Sequence, residues 1–243
     1  MRYREPAICL RTVDYSETSQ VLHFFTRGQG AVRLLAKGTK RPKSKSGGAV
    51  DLLAEGELVY SAKDDETLGT LIEFSESSLH ADLRKDAERL FAAMYMIELV
   101  GELFAQGDAH PEVFDLLRNA LRRLGEADAP APAVLAYFQW RVLRRAGLLG
   151  SLKGCVACGS PVLAGRPGAA RQAYFSSQDG GLLCPECETA VSEKHLVDAE
   201  AMAGLSVLAA VEAGAKQPLP DARARSVNRL LAYHVREQLG KPL

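Results

Sequence analysis

Four of the five cysteines fall into two C-x-x-C pairs, Cys155 with Cys158 and Cys184 with Cys187, and 25 residues separate the pairs. Cysteines three positions apart at a tight turn present both sulfurs to one point. Two such knuckles supply the four tetrahedral thiolates that Zn2+ prefers. Protein then fills every coordination position, so the spacing predicts one structural Zn2+ held by Cys155, Cys158, Cys184 and Cys187. Catalytic zinc keeps a position open and usually takes a histidine or carboxylate. Redox chemistry needs a single pair, and here there are two. Gly159, directly after Cys158, suits a turn that a side chain would hinder. Residues 173–176 and 182–183 read as strands joined through Gln178, Asp179, Gly180 and Gly181, a hairpin pattern. The whole is a zinc-ribbon-like element at about 153–190. Metal-held thiolates fit a reducing, cytoplasmic setting better than a secreted disulfide framework. Cys9, in Ala-Ile-Cys-Leu, reads as a small buried hydrophobe.

A knuckle pair is too small to be the whole fold, and 243 residues exceed one ordinary domain of ~100–150. The pattern divides the chain at about residue 79. Segments 7–14, 19–26, 30–37, 52–61 and 68–78 are short, apolar-rich and punctuated by glycines or polar clusters, which predicts five strands. Segment 19–26 carries apolar residues on both faces. Segment 30–37 puts Val32, Leu34 and Ala36 on one face and Arg33, Leu35 and Lys37 on the other. Five antiparallel strands in so short a stretch are best closed as a small barrel, of the OB or SH3-like kind. From residue 81 the apolar period lengthens to about 3.6: Leu83, Ala87, Leu90, Met94, Ile97, Gly101 and Phe104 mark one helical face. Further helices are expected from Pro111, after Pro130 and Pro132, at 198–213 and at 221–239. Trp140 reads as packing and His195 as a surface or helix-start residue. The predicted organisation is therefore a β domain at 1–79 and an all-α domain at 80–243 interrupted by the cysteine insert.

Charge is balanced, with 30 basic and 30 acidic side chains, yet it is unevenly placed. Residues 27–50 carry Arg27, Arg33, Lys37, Lys40, Arg41, Lys43 and Lys45 and no acid, whereas 51–76 is rich in Asp and Glu. Such a segment can neutralise several phosphates without reading sequence; a merely solvated loop is the plain alternative. Phe24, Phe25, Tyr60 and Phe74 are candidates for stacking on bases or for the core. No phosphate-binding loop, nucleophile elbow or H-E-x-x-H helix is present, so the chain does not read as an enzyme. No stretch approaches the ~20 apolar residues of a membrane helix.

The runs LLAKGTKRPKSK, LLGSLKGCVACGSP and GGLLCPEC, in this order behind a β-rich start, resemble the bacterial RecO family of DNA repair proteins over essentially the whole chain. The resemblance implies an N-terminal OB fold and a helical domain with an embedded zinc-binding element. It also implies binding of single- and double-stranded DNA, ATP-independent strand annealing, and help in loading RecA onto strands covered by single-strand-binding protein (SSB). The partners it implies are RecR and the acidic C-terminal tail of SSB, with RecA engaged indirectly, and a nucleoid-associated cytoplasmic location. Carried onto this sequence, the DNA contacts are Arg33, Lys37, Lys40, Arg41, Lys43 and Lys45. Arg141, Arg144, Arg145, Arg225 and Arg229 are further basic positions open to DNA, to an acidic tail or to solvent. The competing reading is a protein-interaction adaptor built on the zinc ribbon that binds no DNA; a metal-dependent nuclease lacks its motifs.

Overall fold

The computed structural model describes residues 1–41, 48–63, 68–78, 80–150, 152–162 and 173–243. The chain packs as two compact units, Met1–Ala129 and Pro130–Leu243. The first is built on strands β1 (Arg2–Ser16), β2 (Ser19–Thr26), β3 (Gly30–Ala36), β4 (Glu55–Ser61) and β5 (Gly69–Ser78), closed in the order β1-β2-β3-β5-β4. Neighbours are antiparallel except β3 and β5, which run parallel where Leu34 meets Gly69 and Leu35 meets Thr70. This is the OB arrangement, and closure leaves no edge strand. β1 begins earlier than the apolar pattern suggests because Arg2 to Ile8 pair with Ser61 to Glu55 of β4, a long-range partner that stabilises polar residues in a strand.

Inside lie Leu22, Phe24, Leu34, Leu58, Tyr60 and Phe74, together with Cys9, whose thiol burial pushes up to about 12. All four aromatics weighed for base stacking are buried and belong to the core. The second apolar face of β2 is explained by Phe25, fully buried with its ring 6.1 Å from Phe104 and 6.5 Å from Phe114. Those two rings belong to α1 (Ala87–Leu103) with its C-cap and to α2 (Pro111–Gly125).

Two expectations about α1 need correction. The helix starts at Ala87, not 81, because the Asp86 carboxylate accepts from the Arg89 N–H as an N-cap; Leu83 sits in a separate one-turn segment, Ala81–Lys85. The buried face is also rotated. Ala92, Ala93, Met96, Ile97, Leu99 and Val100 point inward, while Met94 is 40% exposed and Gly101 is exposed. Residues 90–100 are apolar around most of the circumference, so periodicity did not select the face. α2 matches its pattern, with Val113, Leu117, Leu121 and Leu124 fully buried. Glu55 of β4 joins these parts: one carboxylate oxygen accepts from Arg122 at 2.7 Å and the other lies 3.3 Å from His80 Nε2. Burial holds the His80 imidazole below its usual pKa although Glu55 opposes the shift.

The second unit holds α3 (Ala131–Arg145), α4 (Ala199–Glu212) and α5 (Asp221–Leu239), with α3 and α4 each packed on α5. Gly147, at φ +73, ends α3 as expected. Trp140 is 3% exposed and packs in this core. Between α3 and α4 lies a three-stranded sheet, β7-β6-β8, of β6 (Ala173–Ser176), β7 (Gly181–Leu183) and β8 (His195–Val197). The third strand has no signal in the sequence beyond three residues, and it carries His195. None of the described helices is long and apolar enough to cross a membrane.

Candidate nucleic-acid interface and metal centre

The four cysteine sulfurs lie within 4.8 Å of one another, and those of Cys158 and Cys184 are 3.7 Å apart. Zn–S bonds of about 2.3 Å directed tetrahedrally put sulfurs about 3.8 Å apart, so this donor set fits the ion. Zn2+ there would act only as a cross-link between knuckles. The knuckles are built by backbone: the Cys155 N–H donates to Ser160 O and the Gly159 N–H to Cys155 O, both at 2.8 Å, while the Cys187 and Glu188 N–H groups both donate to Cys184 O at 3.1 Å. Gly159 adopts φ +75, the left-handed conformation its position predicts. Hydrogen bonds to Ser160 push the Cys158 thiol down to about 6, and the neighbouring Cys158 and Cys184 sulfurs push Cys187 up to about 12. Four thiols this close ionise at one another's expense. A divalent cation removes that conflict by holding all four as thiolates.

The first knuckle rests on β7 through Val156 N–H, which donates to Leu182 O at 2.9 Å. Gly181 is required there, since an added Cβ would lie 2.2 Å from Val156 Cγ1. The side chains that grip this element come from α5. Tyr233 donates to Glu193 at 2.6 Å, and Glu193 also accepts from the Ser177 and Gln178 N–H groups. Gln238 donates to Ser177 O at 2.5 Å, and the buried His234 meets Leu148 O at 2.9 Å and the Phe175 ring edge-on. These polar positions on an ordinary helix gave no sequence signal.

The expected DNA contacts occupy one strand and the turn after it. Arg33 is exposed in mid-β3, and Lys37, Lys40 and Arg41 are exposed on the turn that follows. Gly38 at φ +69, with Arg41 N–H donating to Gly38 O, makes the turn, and buried Thr39 pins it through Gln20. Lys40 is ion-paired with Asp14 at 2.5 Å. Exposed pairs of this kind contribute at most about 1 kcal/mol, so an incoming phosphate can compete. Lys43 and Lys45 lie outside the described residues.

Comparison with known proteins decides the relationship. A family model described as "Recombination protein O N terminal" matches residues 1–77, and one described as "Recombination protein O C terminal" matches 84–243. A protein of Myxococcus xanthus named "DNA repair protein RecO" is 30% identical over 98% of this chain and 94% of its own length. Its namesake in Anaeromyxobacter dehalogenans (strain 2CP-C) is 31% identical over 100% and 93%, and that of Rhodopirellula baltica is 33% identical over 79% and 69%. The chain belongs to the RecO family.

In this RecO chain the basic positions of the helical unit are mostly neutralised locally. Arg144 pairs with Glu212 and lies over the Trp140 ring, Arg225 pairs with Asp221, and Arg229 binds Ser226 and Asp198. Arg141 and Arg145 are exposed one turn apart on α3. Two residues that sequence reasoning missed stand beside Arg33. Arg11 of β1 is directly opposite His23 of β2, and His23 is directly opposite Arg33 of β3, so three basic groups form a row on the outer barrel wall. Strand pairing alone brings them together.

Proposed function

We propose that this RecO chain is a non-enzymatic recombination mediator that binds single- and double-stranded DNA and anneals complementary strands. Its action is electrostatic: cationic surface lowers repulsion between two phosphate backbones, and base pairing supplies the driving force. The observation that carries this reading is the cluster of exposed Arg33, Lys37, Lys40 and Arg41 on one barrel strand and its turn, in a family whose relatives are named for DNA repair. Lys43 and Lys45 continue the same basic run in sequence. We take 1–79 as the nucleic-acid-binding domain and 80–243 as the helical domain. The four-cysteine element binds one Zn2+ and has a structural role. Helping RecA onto SSB-covered strands, through RecR and the acidic SSB tail, completes the reading.

The test is a titration of labelled single-stranded DNA across a salt series, followed by an annealing assay. Binding is expected to weaken steeply with salt. Replacing Lys37, Lys40 and Arg41 with alanine is expected to flatten the slope of log K against log salt by about 2, at about 0.7 per lost contact. Unchanged binding and annealing by that variant would reject the assignment, and no binding by the parent at low salt would favour the adaptor reading.

A further inference from the structure

A cleft of about 710 Å3 opens within the first unit, between the outer wall of β1–β3 and α1. One wall carries the row Arg11, His23 and Arg33; the facing helix presents Met94, Glu98, Gly101 and Glu102. The floor is aliphatic, with Leu10, Leu52 and Ile97. One end is closed by the segment after α1, whose Gly107 N–H donates to Ala31 O at 3.2 Å. That closure depends on Gly30, at φ +65, where an added Cβ would lie 2.1 Å from Asp108 O.

Two details mark the cleft as a built site. First, β1 alternates normally up to Cys9, which faces the core opposite Phe24, and strict alternation would send Arg11 inward as well. A register shift between Cys9 and Arg11 inserts Leu10 as an extra residue and turns Arg11 to the outside, opposite His23. Bulges commonly re-aim a side chain in this way beside functional sites. Second, Arg11 and Arg33 flank His23 on adjacent strands and their like charges repel, and among the described residues none of the three side chains has a hydrogen bond or ion pair to a carboxylate. Burial and the charges of Arg33 and Arg11 together hold His23 below its usual pKa. An anion on the row relieves the repulsion.

We propose that this cleft takes one unstacked nucleotide of a single strand, its phosphate held by Arg11, His23 and Arg33 and its base laid on the aliphatic floor toward Glu98. The row spans two inter-strand spacings, about 10 Å, which sets a phosphate between two guanidinium groups. The volume lies in the range of small-molecule pockets, about 300–1,000 Å3. A carboxylate at the outer edge of the base accepts from the exocyclic amine of cytosine, as acidic side chains do from cytosine N4; thymine places its O4 there, a second acceptor that repels the carboxylate, and its one donor, N3–H, lies further in along the edge. The cleft therefore selects cytosine over thymine, two bases of the same ring size. An acidic peptide satisfies the basic wall but meets like charge at Glu98 and Glu102.

This inference rests on the DNA-binding reading, and homopolymer titrations separate the two. The parent protein is expected to bind short oligo-dC about fivefold more tightly than oligo-dT. Glu98→Gln, which keeps shape and removes charge, is expected to shrink that ratio toward one. Gly101→Phe fills the cleft with every charge left in place; an added Cβ at Gly101 meets only Leu10 Cδ1 at 3.5 Å, so the backbone accommodates it. It is expected to abolish the dC preference by weakening oligo-dC binding more than oligo-dT binding, until the two affinities are equal. Equal dC and dT affinities in the parent, or a preference that survives Gly101→Phe, overturn the pocket and leave the DNA reading standing. Absence of binding to either oligomer overturns both. Competition for the cleft by an acidic peptide, lost in Gly101→Phe while the dC preference persists, assigns the cleft to a protein partner and overturns the proposal. Thermal melting of both variants guards against a folding defect, and the dC-to-dT ratio of Glu98→Gln decides between the outcomes if Gly101→Phe fails to fold.

Discussion

The barrel and the cysteine element meet the same physical demand in opposite ways. The barrel closes its own ladder around large side chains, among them Leu22, Phe24, Leu34 and Leu58, all fully buried. Among the described residues, the buried part of the cluster around the cysteines is Cys155, Leu183 and Cys184, two of which are candidate ligands, and its strands are three or four residues long. Sheets that small are marginal in water. The first region draws its stability from burial; the second is gripped by α5, and its four clustered sulfurs are spaced to hold a metal staple.

The largest expected effect breaks that contrast from the metal side. Elemental analysis should find one zinc per chain, and Cys155→Ser should lose it and cost on the order of 4 kcal/mol in the helical unit. Hydrogen exchange should meanwhile find the barrel strands as protected as before. An equally stable, zinc-free protein would end the staple interpretation. Phe24→Ala is the converse, expected to cost about 4 kcal/mol through the cavity it leaves while zinc content stays at one. A smaller effect sharpens the role of α5. Tyr233→Phe removes a hydrogen bond to the Glu193 carboxylate and should cost about 2 kcal/mol, seen as faster amide exchange at Ser177 and Gln178.

Acid offers the mildest probe. His80 in the barrel unit and His234 in the helical unit are both held below their usual pKa by burial. His80 faces Glu55 and Arg122; His234 faces Leu148 O and lies near Glu193. Because each folded pKa is depressed, the unfolded chain binds more protons as pH falls. Their contribution is thus intact above about pH 6.5 and declines below it, toward the folded pKa. Melting curves between neutral and mildly acidic pH should show the decline, and His80→Gln should flatten it for the barrel. A flat profile in the parent would show that neither imidazole stays neutral in the fold.

Much of this was legible in the residues themselves. The two C-x-x-C pairs announced their shared point, because a knuckle is a local turn whose geometry is set by three or four neighbours. Alternation in β3 gave the correct inner face, and Pro111, Gly147 and Gly159 marked local conformations that the structure reproduces. Failures came where several local answers were equally good. The apolar surplus of α1 hid which face is buried, and so hid the cleft that Met94 and Gly101 line.

What the sequence determined by itself is whatever depends on near neighbours: five strands, then helices, two cysteine knuckles and a basic turn at Gly38. What only the tertiary structure decided is which distant residues share a surface. Arg11, His23 and Arg33 are separated along the chain and carry no common motif, yet ladder register and one bulged residue set them side by side. Register is fixed by closing the barrel and burying its inner face, a global condition. No local pattern encodes it.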